Sequence, residues 1–365
     1  MKTIIYTSGN PWQRKAYSHL SEYLAKKGVN EFGVSDNGNS YKHLLRKEDG
    51  EKNFITHEIY DLTLERFVRH KAGDLNRILT NTASSQAYCF NIFLHLNKNK
   101  ELSNRLFSEL MGKSVRVEHI ELEFTPNMMQ LQPFSESTTP SNIITTDKDE
   151  SIGDQSKYGG TDADVAVFYR YKDDKKGVLL IEFKFIEAEF SVCSSYKNKQ
   201  EVRGYCSTPN YYLELVENQL TDSRQKPLCG YTRYLNWTLT KESNLFNENV
   251  TLSDTSIDKK FTACPFRFGL NQLWRNLLLS ERVAQVRECD EFGFWVLSPK
   301  ENEDYLWKQK SLDVEQLFRE VLSEKGNQHF RKVDMEELYC ILDRLISTDE
   351  NKEWLIRLKE KYRIE

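Results

Sequence analysis

Two short apolar runs joined by a turn are the feature of this chain that most restricts its fold. The first, Asp164–Tyr169, reads Asp-Val-Ala-Val-Phe-Tyr, and the second, Gly177–Phe185, reads Gly-Val-Leu-Leu-Ile-Glu-Phe-Lys-Phe. The Lys, Asp and Gly residues between them are typical of a hairpin turn. Because both runs are apolar on both faces, they predict two adjacent strands in the middle of a sheet that helices cover.

Ionisable residues interrupt these apolar runs. Asp164 begins the first run, and Glu182 and Lys184 lie near the end of the second. A charge in a strand built for burial is costly unless it is paired or binds a metal. Side chains two residues apart in a strand share a face, so Glu182 and Lys184 lie together, and a short hairpin brings Asp164 beside Glu182. The sequence therefore predicts two carboxylates and one ammonium group at one end of the sheet.

This set of side chains suits the hydrolysis of phosphodiester bonds. Two carboxylates hold a hard divalent cation, which polarises the phosphate and lowers the pKa of a bound water. The lysine can orient that water or stabilise the charge that develops on the phosphate. The alternative is a hairpin with charged residues at its solvent-facing end, where Glu182 and Lys184 form a surface pair of little energetic value. The apolar neighbours of both residues argue against this alternative.

The hairpin resembles the active-site hairpin of the PD-(D/E)XK, or restriction-endonuclease-like, superfamily of nucleases. The resemblance covers roughly residues 84–190 and extends to the helix at 270–286, and the glycine pair before the first acid adds to it. It implies that Asp164, Glu182 and Lys184 are catalytic. It also implies a Mg²⁺ ion, with Mn²⁺ able to substitute, held by Asp164, Glu182 and the backbone carbonyl of Phe183.

The sequence departs from the family pattern in two ways. The proline that often precedes the first acid is missing, and the acid that several branches place on the first helix has no obvious match. The helix offers Gln86 near its start and Glu101 and Glu109 further on, and the choice stays open. Asp162 shares a strand face with Asp164, so either could bind the metal. We favour Asp164, because it directly precedes the apolar run.

A second candidate lies on the helix predicted over Leu270–Val286. Gln272 and Arg275 are three residues apart and share a helix face. Some RecB-like nucleases of the superfamily carry a glutamine and an aromatic residue on such a helix, facing DNA. The resemblance therefore implies that Gln272 and Arg275 bind substrate. The alternative is an ordinary amphipathic helix with Leu273 and Trp274 in the core and solvated polar residues.

The remaining patterns predict the elements around this hairpin. We expect helices over Trp12–Lys27, Leu62–Leu79, 84–111 with a break between Asn97 and Lys100, Tyr211–Leu220, and two or three helices within Asp313–Arg363. We expect strands over Val115–Phe124, bent near His119, and over Phe292–Leu297, with a long loop over 126–160.

These elements predict an α/β fold: a restriction-endonuclease-like three-layer core with a central mixed sheet and helical additions at both ends. We divide the chain into a helical extension (1–80), a nuclease core with insertions (81–300) and a C-terminal helical segment (301–365). Four cysteines, Cys193, Cys206, Cys229 and Cys264, follow the catalytic strand. They lack the short spacing of a zinc knuckle, so we predict that they do not converge on a metal.

Composition limits the partners of the chain. The net charge of −4 over 365 residues means that any DNA contact needs a local basic face. The sequence has no long apolar run for a membrane span, and its first residues are not apolar enough for a secretory signal, so we expect a cytoplasmic protein. The predicted function is that of a DNA endonuclease in restriction or anti-phage defence, acting as a homodimer if it cuts both strands. The alternatives are an RNA-cleaving nuclease of the same fold and a non-catalytic nucleic-acid-binding module.

Overall fold

A five-stranded mixed sheet forms the centre of the protein. The computed structural model describes residues 3–70, 74–124, 162–207, 231–247, 250, 264–267, 269–309 and 312–364. The sheet has the order β1-β2-β3-β4-β7, in which β1, β2 and β3 are antiparallel neighbours and β4 and β7 extend the sheet in parallel. Its strands are β1 (Arg116–Phe124), β2 (Ala163–Tyr171), β3 (Lys175–Phe183), β4 (Glu291–Ser298) and β7 (Phe330–Asp334). A separate two-stranded pair consists of β5 (Lys308–Gln309) and β6 (Leu312–Asp313).

Helices cover both faces of this sheet. Before the first strand lie α1 (Pro11–Lys26), α2 (His57–His70), α3 (Leu75–Thr80), α4 (Ser85–Lys98) and α5 (Lys100–Met111). After β3 come α6 (Ser194–Asn198), α7 (Gln200–Ser207), α8 (Tyr231–Glu242) and α9 (Leu270–Val286). The last helices are α10 (Glu303–Leu306), α11 (Val314–Val321), α12 (Glu324–His329), α13 (Met335–Leu345) and α14 (Asp349–Tyr362).

Strand alternation divides the interior into two apolar cores. Val165 and Ile181, which face each other across β2 and β3, point into the core formed with α4. Ala166 and Leu180, the next pair, point into the core formed with α9. All residues of α4 from 87 to 96 are buried, as expected for a helix that lies between a sheet and other helices. The predicted α/β core, a central mixed sheet between helical layers, is confirmed.

Side chains from the neighbouring helices cover the outer edge of β1. The Arg66 guanidinium of α2 donates two hydrogen bonds to the Leu122 carbonyl, at 2.6 and 2.9 Å. The side-chain oxygen of Asn104 accepts from the Val117 amide at 2.7 Å, and that of Asn97 accepts from the Ile120 amide at 2.9 Å. These contacts satisfy an edge that would otherwise be open to pairing with another chain.

Several predicted local features are confirmed. The register of β1 shifts between Val117 and His119, where the sequence predicts a bend. The helix pair over 84–111 breaks at Asn99, and Gly112 ends the second helix in the left-handed conformation at φ 65°. Helix α9 spans Leu270–Val286, as predicted.

Two predicted elements are wrong. The single helix over Leu62–Leu79 is in fact two helices, α2 and α3, and Asp74 caps the second one by accepting from the Arg77 amide. The tail is not purely helical, because β7 lies within it and pairs with β4. Its five residues are too few to show a strand period among charged neighbours. The division of the chain at residues 80 and 300 stays a prediction.

The predicted loop over 126–160 and the predicted helix over Tyr211–Leu220 lie outside the described residues. Within the described part of the chain, no helix combines the length and the apolarity that crossing a membrane requires.

Candidate active site

The hairpin of β2 and β3 brings the predicted acids together. Val165 faces Ile181 in the antiparallel register, so the next positions along the two strands, Asp164 and Glu182, lie opposite each other. Directly opposite residues share a face of the sheet, and this face is the one that α9 covers. The Asp164 carboxylate accepts a hydrogen bond from the Phe183 amide at 2.6 Å, which ties the start of β2 to the end of β3.

Glu182 is buried and held on both carboxylate oxygens. Only 4% of the residue is exposed. The Lys184 ammonium lies 2.8 Å from Oε1, and the Gln272 side-chain amide donates to the same oxygen at 2.7 Å. The Asn276 side-chain amide donates to Oε2 at 2.7 Å. These donors stabilise the anionic form of a carboxylate that the apolar surroundings disfavour.

The charges at this end of the hairpin influence one another strongly. Burial raises the pKa of Asp164 well above its ordinary value, and the negative charges of Glu182 and Glu123 raise it further. Burial also raises the pKa of Glu182, while Lys184 opposes that shift. For Lys184 itself, burial lowers the pKa, but the charges of Glu182, Glu187 and Asp164 outweigh burial and raise it above its ordinary range. The lysine is therefore a charged ammonium group among carboxylates.

Glu123, at the end of β1, is a member of this cluster that sequence reasoning missed. Leu122 pairs with Val165 and Phe124 pairs with Ala163, so Glu123 lies beside Asp164 in the register. Burial raises the pKa of Glu123 to about 7, and other nearby carboxylates add to the shift. Sequence reasoning could not place this side chain, because the left-handed backbone at Glu123, with φ 49°, interrupts the strand period at that residue.

The structure also answers which residue of the first helix reaches the site. The Gln86 side chain, in the first turn of α4, hydrogen-bonds to the Glu123 carboxylate. Glu101 is exposed, and Glu109 forms an ion pair with Arg344 at 2.6 Å, so neither points to the hairpin. Asp162, the alternative to Asp164, is exposed. The family's helix acid has no counterpart in Glu101 or Glu109.

Helix α9 contributes two amide side chains, of which the sequence pointed to one. Gln272 donates to Glu182, and its side-chain oxygen accepts from the Ser191 amide at 3.1 Å. Both ends of this amide therefore contact protein groups, and a substrate-binding role for Gln272 stays a prediction. Asn276 follows one helical turn later on the same face, a spacing that the sequence could have shown. Arg275 is half-buried on α9, and a DNA-binding role for it stays a prediction.

The donor set fits a hard divalent cation. Carboxylates and a backbone carbonyl are the oxygen ligands that Mg²⁺ accepts, and the end of the hairpin offers Asp164, Glu182 and the Phe183 carbonyl. The mutual repulsion of Asp164 and Glu182 is what a bound cation would relieve. Within the described ranges, no three acid, histidine or cysteine side chains surround a common point.

Two of the described cysteines lie close together. The Cys264 amide donates to the Cys206 carbonyl at 3.0 Å, and the thiol of Cys264 lowers the pKa of the Cys206 thiol through a hydrogen bond. Cys193 is buried, and Cys229 lies outside the described residues. The absence of a thiolate metal site stays a prediction.

A comparison with known proteins places this geometry in a family. The sequence matches the profile of a family described as Restriction Endonuclease associating with ARP, over residues 18–363. The match includes every residue of the acid, lysine and amide cluster. No curated protein and no solved structure matches the chain.

Proposed function

The chain belongs to the family of restriction endonucleases associating with ARP, and from this premise we propose that it is a Mg²⁺-dependent nuclease that hydrolyses phosphodiester bonds in DNA. The observation that carries the proposal is the placement of Asp164, Glu182 and Lys184 at one end of the hairpin, with the Glu182 carboxylate and the Lys184 ammonium 2.8 Å apart. Family membership supports a nuclease, and the chemistry of these three groups supports metal-assisted hydrolysis.

Asp164, Glu182 and the Phe183 carbonyl would hold the cation. When bound, Mg²⁺ supplies a Lewis acid that polarises the phosphate and lowers the pKa of a coordinated water. The Lys184 ammonium stays charged because carboxylates flank it. It is therefore able to orient the attacking water or to stabilise the charge that develops on the phosphate oxygen.

Gln272 and Asn276 act on the reaction through Glu182. Each donates to a different oxygen of that carboxylate, at 2.7 Å in both cases. Two donors fixed on one helix restrict the rotation of the carboxylate and keep it facing Asp164. Supports of this kind tune the affinity of a metal site by holding its ligands in the binding orientation.

The biological role follows from the family description alone. A restriction or anti-phage role, and association with the partner that the description calls ARP, come to this chain as proposals. Cutting both strands of a duplex would call for two active sites, and a homodimer supplies them.

The decisive experiment offers several substrates to the purified protein. Supercoiled plasmid, single-stranded DNA and RNA are incubated with Mg²⁺ or with EDTA, using the wild-type protein and Asp164→Asn. We expect nicked or linear plasmid only with wild-type protein and Mg²⁺. Cleavage of RNA alone would favour the RNA-cleaving alternative, and binding without cleavage would favour the non-catalytic module. Equal cleavage by Asp164→Asn would contradict the proposed site.

A further inference from the structure

We propose that Trp12, Gln13 and Asn302 are positioning residues for Lys184, since their side chains hold the backbone that directly follows it. This inference rests on the proposed function, because it concerns the lysine of the same site. It goes beyond the resemblance, because all three residues lie outside the ranges that the resemblance covers.

The chain leaves the sheet directly after Lys184. The Lys184 amide donates to the Leu297 carbonyl of β4 at 2.8 Å, which extends the parallel pairing of β3 and β4 by one residue. The next amide, that of Phe185, donates instead to the Glu187 carboxylate at 2.7 Å. From this residue onward, hydrogen bonds from other elements determine the path of the backbone.

The first turn of α1 supplies two of these hydrogen bonds. The Trp12 indole donates to the Phe185 carbonyl at 2.9 Å, and the Gln13 side-chain amide donates to the Ile186 carbonyl at 2.9 Å. Phe185 is fully buried and Ile186 nearly so, and a buried carbonyl group needs a donor. The start of α1 therefore fixes two successive carbonyl groups next to Lys184.

Asn302 adds a third donor from a different element. It ends a short 3-10 helix that follows β4, and it is fully buried. Its side-chain amide donates to the Phe185 carbonyl at 3.2 Å and to the Glu187 carbonyl at 2.8 Å. With the two donors of α1, three successive backbone carbonyl groups after Lys184 each accept from a side chain.

The donors on α1 are themselves fixed. Trp12 is 4% exposed, and its ring lies edge-on against the Phe185 ring with 6.2 Å between the centroids. The Gln13 side-chain oxygen accepts from the Asn10 amide at 3.0 Å, within the capping box that begins α1. Neither donor can shift without moving the start of the helix, so the segment after Lys184 is held against a rigid element.

The position of this backbone matters because it sets the position of the Lys184 ammonium group. That group lies 2.8 Å from the Glu182 carboxylate, and the lysine side chain is 10% exposed. A backbone shift of about 1 Å would change the reach of the ammonium group toward the water or the phosphate, and misplacement on this scale can slow a reaction ~10²-fold. The three donors contact backbone groups, so they act on the reaction through Lys184.

The rival explanation is that these contacts only anchor α1 and the turn after β4 to the sheet. Both explanations predict a less stable protein when a buried donor is lost. They differ in catalysis. An anchor leaves the rate of the folded protein unchanged, whereas a positioning residue raises that rate at saturating substrate without strengthening DNA binding.

The test compares two buried tryptophans that make the same kind of contact. Trp12→Phe removes the indole donor and keeps an aromatic ring. Trp354→Phe is the matched control, because the Trp354 indole donates to the Asn91 carbonyl at 3.0 Å and the residue is 1% exposed. For each variant we measure the single-turnover rate of plasmid cleavage at saturating Mg²⁺ and protein, the apparent Kd for DNA and the melting temperature.

We expect both variants to melt at a similarly lowered temperature and to bind DNA as the wild type does. The cleavage rate should fall about 10-fold in Trp12→Phe and stay at the wild-type value in Trp354→Phe.

Gln13→Glu separates the two explanations by a second route. The new carboxylate still accepts from the Asn10 amide, and an acidic group suits the first turn of a helix, so the melting temperature should not fall. It no longer donates to the Ile186 carbonyl, so the cleavage rate should fall about 3-fold. An anchoring role predicts the wild-type rate for this variant.

The outcomes separate this inference from the proposed function. If the wild type cleaves DNA with Mg²⁺ and Trp12→Phe cleaves equally fast, the positioning role is overturned and the nuclease proposal stands. Equal losses of rate in both tryptophan variants would also overturn it, because the rate would then follow stability. Should Trp12→Phe fail to fold, Gln13→Glu decides, and a wild-type rate would overturn the inference. If the wild type cleaves nothing with Mg²⁺, the proposed function is overturned, and the positioning role with it.

Discussion

The two ends of the β2 and β3 hairpin carry similar residues in opposite surroundings. At the turn, Arg170 pairs with Glu118 at 2.6 Å and with Asp174 at 2.9 Å, and two thirds of the Asp174 side chain is exposed to solvent. At the other end, Glu182 and Lys184 form a pair at 2.8 Å whose side chains are 5% and 10% exposed. Charge in contact with water costs little and stabilises little. Charge kept inside a core costs far more, and its presence there indicates a function that needs it.

The largest contrast should be in catalysis. Lys184→Ala is expected to lower the rate of Mg²⁺-dependent DNA cleavage by ~10²-fold or more, because it removes the ammonium group that orients the water or stabilises the phosphate charge. Asp164→Ala and Glu182→Ala should do the same. Lys176→Ala, which changes an exposed lysine at the turn end of β3, should keep the wild-type rate. The rate of plasmid nicking at saturating Mg²⁺ is measured for each variant. Equal losses of rate in Lys184→Ala and Lys176→Ala would contradict a special role for the buried lysine.

The second-largest difference between the two ends of the hairpin should be in the free energy of unfolding of variants at each end. Lys184→Ala leaves the buried Glu182 without its ion-pair partner, and removing one partner of a buried pair costs about 3 kcal/mol. Arg170→Ala removes a partner at the turn, where an exposed pair contributes less than ~1 kcal/mol. The free energy of unfolding from urea titrations gives both values. A larger loss at Arg170 would show that the buried pair is not a pair in solution.

His43 is a buried ionisable group whose pKa is shifted by burial alone, so it can be compared with Lys184, which carboxylates surround. Burial lowers the pKa of His43 to about 4, so this ring is neutral in the folded protein where Lys184 stays charged. The unfolded chain binds a proton at His43 below about pH 6.5, and the folded chain does so only near pH 4. The contribution of neutral His43 to the free energy of unfolding is therefore present above pH 6.5 and is lost as the pH falls toward 4.

This loss should amount to about 2.5 kcal/mol at pH 4.5. Urea titrations of the wild type and of His43→Gln between pH 7 and 4.5 measure it as the part of the pH dependence that the variant lacks. Identical pH profiles for the two proteins would mean that His43 is protonated in the fold.

The smallest effect should come from the amide supports. Asn276→Leu removes one donor to Glu182 and should lower the cleavage rate about 10-fold, since an outer support orients a ligand without contacting the substrate. Asn247→Leu is a control, because its amide donates instead to the Glu320 carbonyl at 2.8 Å, outside the acid cluster. A loss as large as that of Lys184→Ala would assign Asn276 a direct part in the chemistry.

Local sequence patterns predicted the hairpin and its three charged residues well. The segments 163–169 and 177–185 are strongly apolar, and the period of two predicts which charged residues share a face. The same reasoning located α9 and the bend in β1. These are features that a short window of sequence determines, because neighbouring residues along one element set them.

The rest of the site depends on contacts between distant segments. Glu123 is one of many glutamates, and only the register of β1 against β2 brings it to Asp164. Gln86 lies 37 positions before Glu123 in the chain, and nothing in its own helix shows what it contacts. β7 joins the sheet through pairing with β4, which its five charged and apolar residues do not reveal. Contacts between distant segments, and not local sequence preferences, determine the positions of Glu123, Gln86 and β7.

The most direct test compares one isosteric change in the buried acid cluster with one on β1 beside the hairpin turn. Glu182→Gln and Glu118→Gln each remove a single carboxylate charge, the first from the buried cluster and the second from the exposed pair at the turn. The measurement is the single-turnover rate of plasmid cleavage at saturating Mg²⁺, with folding checked by circular dichroism. We predict no detectable cleavage by folded Glu182→Gln and a wild-type rate for Glu118→Gln. Cleavage by Glu182→Gln at the wild-type rate would contradict the assignment of the buried end as the catalytic centre.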